Sequence, residues 1–488
     1  MHGSNSLKNK TLRGLFWSSA DLFANHGFQF VIQIVLARLL LPEHFGIIGM
    51  ILVLIAISNS IVDSGFSQAL IRDQNTSQED YSTVFYFNLF ISILLYFLLY
   101  IAAPSISMFF QSKELIGIIR VLSLVLIMNS LAIIQRVKLT KILDFKTLMK
   151  INVIAVLTSG SISIAMAYLG FGVWSLVANM ISMQFVQTLL LWSFNRWMPS
   201  LIFSTQSFIK YFSFGYKLLI SGLIDTFYNN LYFLIIGKFY SVAQLGYYSN
   251  SVRIRDMASQ SIVATVQRVT YPVLSSTRED EKRLKSVFRK IIKTIAFINF
   301  PLMVGIAVIA TPLFQLLFGE KWLPSVYYFQ LLCLAGMLYP IHALNLNILK
   351  VKGRSDLFLR LEIIKKGLLT ILIVLSFLFK LGIIGLICAA VINSYLSLLI
   401  NMYYSAREIS YSSWEQLKDI MPSFGISLFM GISVYAVAPL LPENHFFLLL
   451  CQIMIGIIVY VGLSKLLKVK ELEIIYELII SLLFKRKI

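Results

Sequence analysis

The chain has 488 residues, of which 58% are hydrophobic and only 13% charged, with a mean hydropathy of +0.80. Soluble domains carry about 25% charged residues, so the composition excludes an ordinary water-soluble enzyme or binding module and marks an integral membrane protein. The formal net charge of +19 would fit a nucleic-acid partner if it formed one patch, but it does not.

The cations cluster in alternate loops. One group is Arg136, Lys138, Lys141, Lys146 and Lys150; a second is Arg278, Lys282, Arg283, Lys285, Arg289 and Lys290; a third is Lys350, Lys352, Arg354, Arg360, Lys365 and Lys366. The intervening loops hold single cations such as Lys113, Lys238, Lys321 and Lys380. This asymmetry is the positive-inside pattern, which places the basic loops in the cytoplasm. Cys333, Cys388 and Cys451 fall inside apolar runs with no metal-ligand or CxxC spacing. They read as small core residues, so no disulfide, metal or cofactor is expected.

In chain order, Lys8, Lys10 and Arg13 precede an apolar run, as in a signal peptide. That run contains Asp21, Asn25, His26, Gln29 and Gln33 and continues to Leu40, so it reads as a retained first membrane helix. Apolar runs of about 20 residues, long enough to cross a hydrocarbon core of about 30 Å, recur from there to Leu466. Their polar stripes follow helical spacing rather than the alternation of a barrel strand. Fourteen helices are predicted near 14–38, 46–66, 83–103, 115–135, 151–169, 173–194, 213–236, 246–270, 290–310, 324–347, 362–379, 383–404, 422–440 and 446–466. An even number puts both termini in the cytoplasm, in agreement with the basic N-terminus and the closing "FKRKI". "ELEIIYELIISLLF", Glu471–Phe484, carries three glutamates and reads as a helix lying in the membrane interface.

An internal repeat is visible. "VLARLLLPEHFGIIGM" (Val35–Met50) aligns with "IIGKFYSVAQLGYYSN" (Ile235–Asn250) at an offset of 200 positions, matching Arg38 to Lys238 and Gly46 to Gly246. Further on, "LGFGVWSLVANMI" from Leu169 echoes "LGIIGLICAAVI" from Leu381. The expected architecture is all-α: an N-terminal lobe over 10–195 with helices 1–6, a C-terminal lobe over 205–405 with helices 7–12, an extra helix pair over 420–466, and a cytoplasmic interfacial tail over 467–488. Six helices per lobe give parallel repeats, related by a pseudo-two-fold axis along the membrane normal with a site at the lobe interface.

Three polar stripes stand out. Asp21, Asn25, Gln29 and Gln33 are spaced by four on the first helix, and Lys217, Ser221, Asp225 and Asn229 are spaced likewise on the seventh. At the repeat offset Asn25 falls on Asp225 and Gln29 on Asn229. Such residues can act as interhelical glue, but two stripes at matching positions favour a water-filled cavity. On the eighth helix Arg253, Asp256, Gln260 and Gln267 fall within about 60° of one face, whereas Arg255 lies roughly 160° from Arg253. Two readings of the arginines stay open. They snorkel to the boundary, Arg253 paired with Asp256; or a guanidinium binds phosphate oxygens in bidentate fashion, with Lys217 adding charge.

Asp21, Asp225, Asp256 and His26 are the candidates for binding a coupling ion, Asp225 foremost. Asp63, beside "SGFSQALIRD", reads as a cap or loop residue at the cytoplasmic boundary. The chain has no GxxxxGK[ST], HExxH or GxSxG motif, so an ion gradient, the membrane potential or a substrate gradient would drive movement.

The segments "ARLLLPEHFGIIGM", "DSGFSQALIRD", "FGYKLLISGLID" and "GKFYSVAQLGYYS" resemble the Wzx-type polysaccharide exporters of the multidrug/oligosaccharidyl-lipid/polysaccharide (MOP) superfamily. More narrowly, they are similar to the subgroup of colanic-acid and teichuronic-acid export, over about residues 10–465. The resemblance implies a flippase in the bacterial cytoplasmic membrane. It would translocate a polyprenyl-pyrophosphate-linked oligosaccharide by alternating access, for O-antigen, capsule or exopolysaccharide synthesis. It implies membrane lipids, a coupling H+ or Na+ and other polysaccharide-assembly proteins as partners, and no nucleic acid. Arg253 and Arg255 match a helix that carries cavity cations in related lipid flippases, with Lys217 on the neighbouring one. Asn25, Gln29, Gln33, Asn229 and Gln260 would then bond pyrophosphate or sugar. Where such flippases often carry a basic residue on the first helix, this chain has Asp21, Asn25 and Gln29. The alternatives are a multidrug/cation antiporter of the same superfamily, which should have a carboxylate-rich cavity without arginines, and a membrane glycan polymerase or ligase, which should have a large external loop.

Overall fold

The computed structural model describes residues 2–442 and 444–483, except the side chains of residues 1–16, 19, 261, 268, 269, 355, 478, 479 and 481–483. Arg13 and the closing "FKRKI", both invoked above, therefore lie outside the described residues. Two compact units divide between Ser249 and Asn250.

The first unit contains α1 (His2–Leu39), α2 (Pro42–Asp63), α3 (Phe66–Arg72), α4 (Gln78–Phe110), α5 (Leu115–Leu122), α6 (Leu124–Lys141), α7 (Phe145–Tyr168), α8 (Val173–Asn195) and α9 (Thr205–Phe239). Next comes α10 (Val242–Ser276), which crosses the boundary between the units. The second unit continues with α11 (Glu281–Val308), α12 (Ala310–Leu317), α13 (Leu323–Gly336), α14 (Tyr339–Val351), α15 (Ser355–Leu378), α16 (Gly382–Ile409), α17 (Ser413–Val437), α18 (His445–Leu466) and α19 (Lys470–Leu483).

Among the described residues twelve helical stretches are long and apolar enough to cross a membrane. All fourteen expected helices have a counterpart, but α10 and α15 are not among the twelve. Composition explains both. The middle of α10 carries Arg253, Arg255, Asp256, Gln260 and Gln267, and the first half of α15 carries Asp356, Arg360, Glu362, Lys365 and Lys366.

Helix ends follow local chemistry. Ser77 caps α4 by accepting from the Asp80 amide at 3.1 Å, while Asp80 accepts from the Ser77 amide at 2.9 Å. This reciprocal pair satisfies two otherwise orphaned donors. Ser412 and Glu415 repeat the motif at α17.

In the first unit α1 packs on α7, α7 on α8, and α2 on α9. A cluster of Val62, Phe66, Leu70, Phe85, Ile134, Trp197 and Tyr211 forms the core at one end. Two glycine-mediated crossings hold the helices together. A Cβ on Gly46 would lie 2.0 Å from the Val242 carbonyl oxygen, and one on Gly246 would lie 1.9 Å from that of Pro42. Both pairs, Gly46/Gly246 and Pro42/Val242, are related by the 200-residue offset. The repeat therefore marks a reciprocal crossing at which only a missing side chain lets two backbones approach. The second crossing lies at the other end of α2, where Ser64 and Gly65 adopt φ of 46° and 72°. There a Cβ on Gly215 would meet the Ser64 carbonyl oxygen at 2.5 Å.

In the second unit α11 packs on α17, and α16 packs on α13, α14 and α15. α13 and α14 belong to one apolar stretch, Glu320–Val351, interrupted at Met337 and Leu338. Pro340 has no N–H to offer the Gly336 carbonyl, and its ring clashes there. The backbone at the break is served from α11: Asn299, fully buried, donates Nδ2–H to the Met337 carbonyl at 2.7 Å and lies 3.5 Å from that of Gly336. Irregular backbone within a membrane span persists only with such a partner. α19 is anchored by Lys293 to Glu471 at 2.9 Å.

Gly46→Ala and Gly246→Ala are each expected to lower the melting temperature of the detergent-solubilised protein, because overpacking a close contact costs about 1–3 kcal/mol. Gly222→Ala, with nothing within 4 Å of the added Cβ, should not. Equal melting of all three variants would contradict the crossing.

Candidate functional site

The first-helix stripe is built into a hydrogen-bonded chain. Both oxygens of Asp21 accept from Asn152 Nδ2 on α7 at 3.1 Å, and Asn152 Oδ1 accepts from Gln187 Nε2 on α8 at 3.2 Å. One turn further along α1, Gln29 Nε2 donates to Asn25 Oδ1 at 3.0 Å. Gln33 is buried, whereas Asn25 and His26 are half-buried and Gln29 is exposed. The stripe thus passes from a buried end at Gln33 to an accessible middle. Sequence reading missed Asn152 and Gln187, whose only signal is an amide inside an apolar helix. Asn59 and Asn129 form a similar unpredicted pair at 2.9 Å.

On α9, Lys217, Ser221, Asp225 and Asn229 are all exposed, so the seventh-helix stripe is an accessible face rather than buried glue. Where α9 meets α2, Ser60 and Thr226 share a hydrogen bond of 3.0 Å.

The structure separates the two arginines of α10. Arg253 is exposed, whereas Arg255 is 8% exposed. Arg255 donates to Asp256 Oδ1 through Nε at 2.9 Å and Nη2 at 2.6 Å, and through Nη1 to the Tyr339 hydroxyl at 3.0 Å. Its guanidinium also lies 5.2 Å from the Tyr339 ring centroid. A buried charge needs such a set of partners to offset desolvation. Asp256 is thus the counter-charge of Arg255, which corrects the pairing with Arg253 in the snorkelling reading. Arg255, with Asp256 as its counter-charge, ties α10 to the start of α14 through Tyr339, while Arg253, Gln260 and Gln267 are exposed.

At the basic end of the first unit, Asp73 closes the "DSGFSQALIRD" motif. It pairs with Lys210 at 2.6 Å and accepts from the Tyr211 hydroxyl at 2.8 Å and the Asn75 amide at 3.0 Å. The Lys141 ammonium donates to the Asp73 carbonyl and to Thr76. The Lys210 hydrogen bond, followed by those from Tyr211 and Asn75, lowers the Asp73 carboxyl to about 2. Asp63, at the end of α2, accepts from the Ser67 hydroxyl, in keeping with a helix-end residue. Among the described residues no group of three His, Cys, Asp or Glu side chains is disposed to hold a metal ion.

These elements define a class: a multi-pass, all-helical membrane protein whose long helices carry accessible polar stripes. A family model described as "Polysaccharide biosynthesis protein" matches residues 35–327. The chain belongs to that family, the Wzx-type branch of the MOP superfamily, a family of transporters rather than enzymes. It is 28% identical over 392 residues to the teichuronic acid biosynthesis protein TuaB of Bacillus subtilis, covering 79% of this chain and 80% of TuaB. It is 25% identical over 436 residues to the lipopolysaccharide biosynthesis protein WzxC of Escherichia coli, covering 88% of this chain and 89% of WzxC. The fold is similar to that of the lipid II flippase MurJ in an inward closed conformation, with a TM-score of 0.73 and 18% identity over 93% of this chain and 97% of that one. It is also similar to an inward-facing multidrug resistance MATE transporter of the MOP superfamily, with a TM-score of 0.59 and 17% identity over 80% and 94% of the two chains.

Asp73→Asn is expected to lower the melting temperature at neutral pH. A carboxyl held below its ordinary value of about 3.9 contributes stability above that value and loses it as pH falls toward the folded-state value. The gap between wild type and variant should therefore shrink in melts taken from pH 7 down through the acid range, and a constant gap would contradict the assignment.

Proposed function

We propose that this chain is a flippase of the bacterial cytoplasmic membrane. It carries a polyprenyl-pyrophosphate-linked oligosaccharide from the inner to the outer leaflet for surface polysaccharide synthesis. Membership of the polysaccharide biosynthesis family and the likeness to TuaB and WzxC support the substrate class. The observation that carries the site is the exposed Arg253 on α10, a helix too polar to count among the apolar spans. A guanidinium presents a fork matched to phosphate oxygens, and a pyrophosphate entering a low-dielectric region needs such a counter-charge.

In this reading Arg253 receives the pyrophosphate, and Lys217 adds charge from α9. Asn25, Gln29, Asn229 and Gln260 offer amides to sugar hydroxyls, and the lipid tail stays in the bilayer throughout. Alternating access moves the headgroup, and the asymmetry of the ion or substrate gradient sets its direction. Asp225, the half-buried Asp21 and His26 remain candidates for coupling. Asp256 is assigned instead to Arg255, and Arg255 to the α10–α14 junction rather than to the substrate. Both termini and the basic loops face the cytoplasm. The multidrug-antiporter alternative, argued from the MATE-like fold, requires a cation to bind beside Arg253, which like-charge repulsion opposes.

Arg253→Ala should reduce export about tenfold or more, since a hydrogen bond to a charged group contributes about 1.5–3 kcal/mol. Lipid-linked repeat units should accumulate on the inner leaflet while the protein level in the membrane stays unchanged. Arg253→Lys should retain part of the activity. Normal export by the alanine variant would remove Arg253 from the site.

A further inference from the structure

The first unit holds an unpaired guanidinium on α6. Arg136 lies a little over one turn before the helix ends at Lys141, within a stretch long and apolar enough to cross a membrane. A charge in such a stretch is costly and is retained where it pairs or binds. Arg136 is exposed, and its guanidinium makes no hydrogen bond, ion pair or ring contact with any described residue. The other cations at this end of α6 are already engaged. The Lys138 ammonium stands 5.1 Å from the Tyr81 ring centroid and 5.4 Å from that of Trp197, while Lys141 donates to the Asp73 carbonyl and to Thr76. Helical geometry turns these two lysines about 140–160° away from Arg136.

The face that carries Arg136 is turned toward α2. Asn129, two turns earlier, lies within about 20° of it around the helix, and Asn129 Nδ2 donates to Asn59 Oδ1 on α2 at 2.9 Å. One turn beyond Asn59 comes Asp63, the carboxylate that acts through space on Arg136. The two do not form an ion pair. Asp63 Oδ1 accepts from the Ser67 hydroxyl, and the backbone amides of Ser67 and Gly65 also act on this carboxylate. Its negative charge is thus compensated locally, by the turn between α2 and α3, whereas the positive charge of Arg136 has no such compensation. The polar stripe of α1, made of Asp21, Asn25, Gln29 and Gln33, holds no cation.

We propose that Arg136, at the seam between α2 and α6, binds a phosphate of the polyprenyl pyrophosphate as it enters the first unit from the side of the basic loops. A guanidinium offers two parallel N–H donors to two oxygens of one phosphate. Asn59 and Asn129 satisfy each other through one donor and one acceptor, which leaves amide N–H groups on both for further phosphate or sugar oxygens. The depth suits such a ligand. At 1.5 Å of rise per residue, Arg136 lies about 7–8 Å inside the end of α6, within reach of a headgroup whose lipid tail stays in the bilayer. The inference rests on the flippase reading above and adds to it a phosphate-binding residue in the first unit, separate from Arg253.

The test is binding of sugar-free polyprenyl pyrophosphate to the purified full chain in detergent, titrated by native mass spectrometry. Phosphatidylglycerol and polyprenyl alcohol serve as comparison ligands. Wild type should bind the pyrophosphate in preference to both. Arg136→Gln should weaken that binding about tenfold or more, as expected for a lost hydrogen bond between charged groups, and leave phosphatidylglycerol binding unchanged. Arg136→Lys, which keeps the charge and loses the fork, should fall between the two. Asp63→Asn should bind as tightly as wild type or more tightly, because it removes a negative charge beside the ligand. Unchanged pyrophosphate binding by Arg136→Gln overturns the proposal. An equal loss of phosphatidylglycerol binding also overturns it, by making Arg136 an ordinary headgroup contact. So does weaker binding by Asp63→Asn, which would make Asp63 and Arg136 a structural pair. If Arg136→Gln does not fold, Arg136→Lys and Asp63→Asn decide the matter by the same readout. A wild type without preference for the pyrophosphate removes the flippase reading itself, whereas a preference that survives in Arg136→Gln removes only Arg136.

Discussion

Water is absent from the hydrocarbon core, and that absence governs how every polar group in this protein is used. A backbone carbonyl or side-chain amide inside a span must find its partner within the protein or face accessible space. Asn299 serves the Met337 carbonyl at the helix break, Asn152 serves Asp21, and Asp256 with Tyr339 serves Arg255. The groups that remain accessible, Arg253, Gln260, Lys217, Asp225 and Asn229, are then distinguished by the same rule. They are polar residues exposed on long helices.

Close backbone approach is the second organising feature of the first unit. The four motifs that carry the family resemblance meet in pairs. "PEHFGIIGM" meets "SVAQLGYYS" at Gly46 and Gly246, and "DSGF" meets "FGYK" at Gly65 and Gly215. In this chain the motifs serve packing, since each contains a glycine that lets one backbone lie against another. They identify the fold and say little about the sugar.

The contrast between Arg253 and Arg255 shows how far helical geometry reaches. A separation of roughly 160° on an ideal helix was enough to turn the two apart, and burial of Arg255 follows from it. The same geometry grouped Asp256 with Arg253. The side chain instead reached its immediate neighbour in sequence, because a buried guanidinium gains more from a carboxylate than an accessible one does.

Composition and period by themselves determined that this is an all-helical membrane protein, where its helices lie, and which helix faces are polar. Those properties depend on residues close in sequence, and hydropathy and the 3.6-residue repeat report them directly. The 200-residue repeat was legible too, as aligned glycines. Tertiary structure alone decided that the glycines cross reciprocally, that α13 and α14 split with Asn299 bridging the gap, and that Asn152 and Gln187 continue the Asp21 stripe. It also set Asn129 against Asn59. These are contacts between residues tens of positions apart, and a lone amide in an apolar helix carries no local sign of which partner will satisfy it.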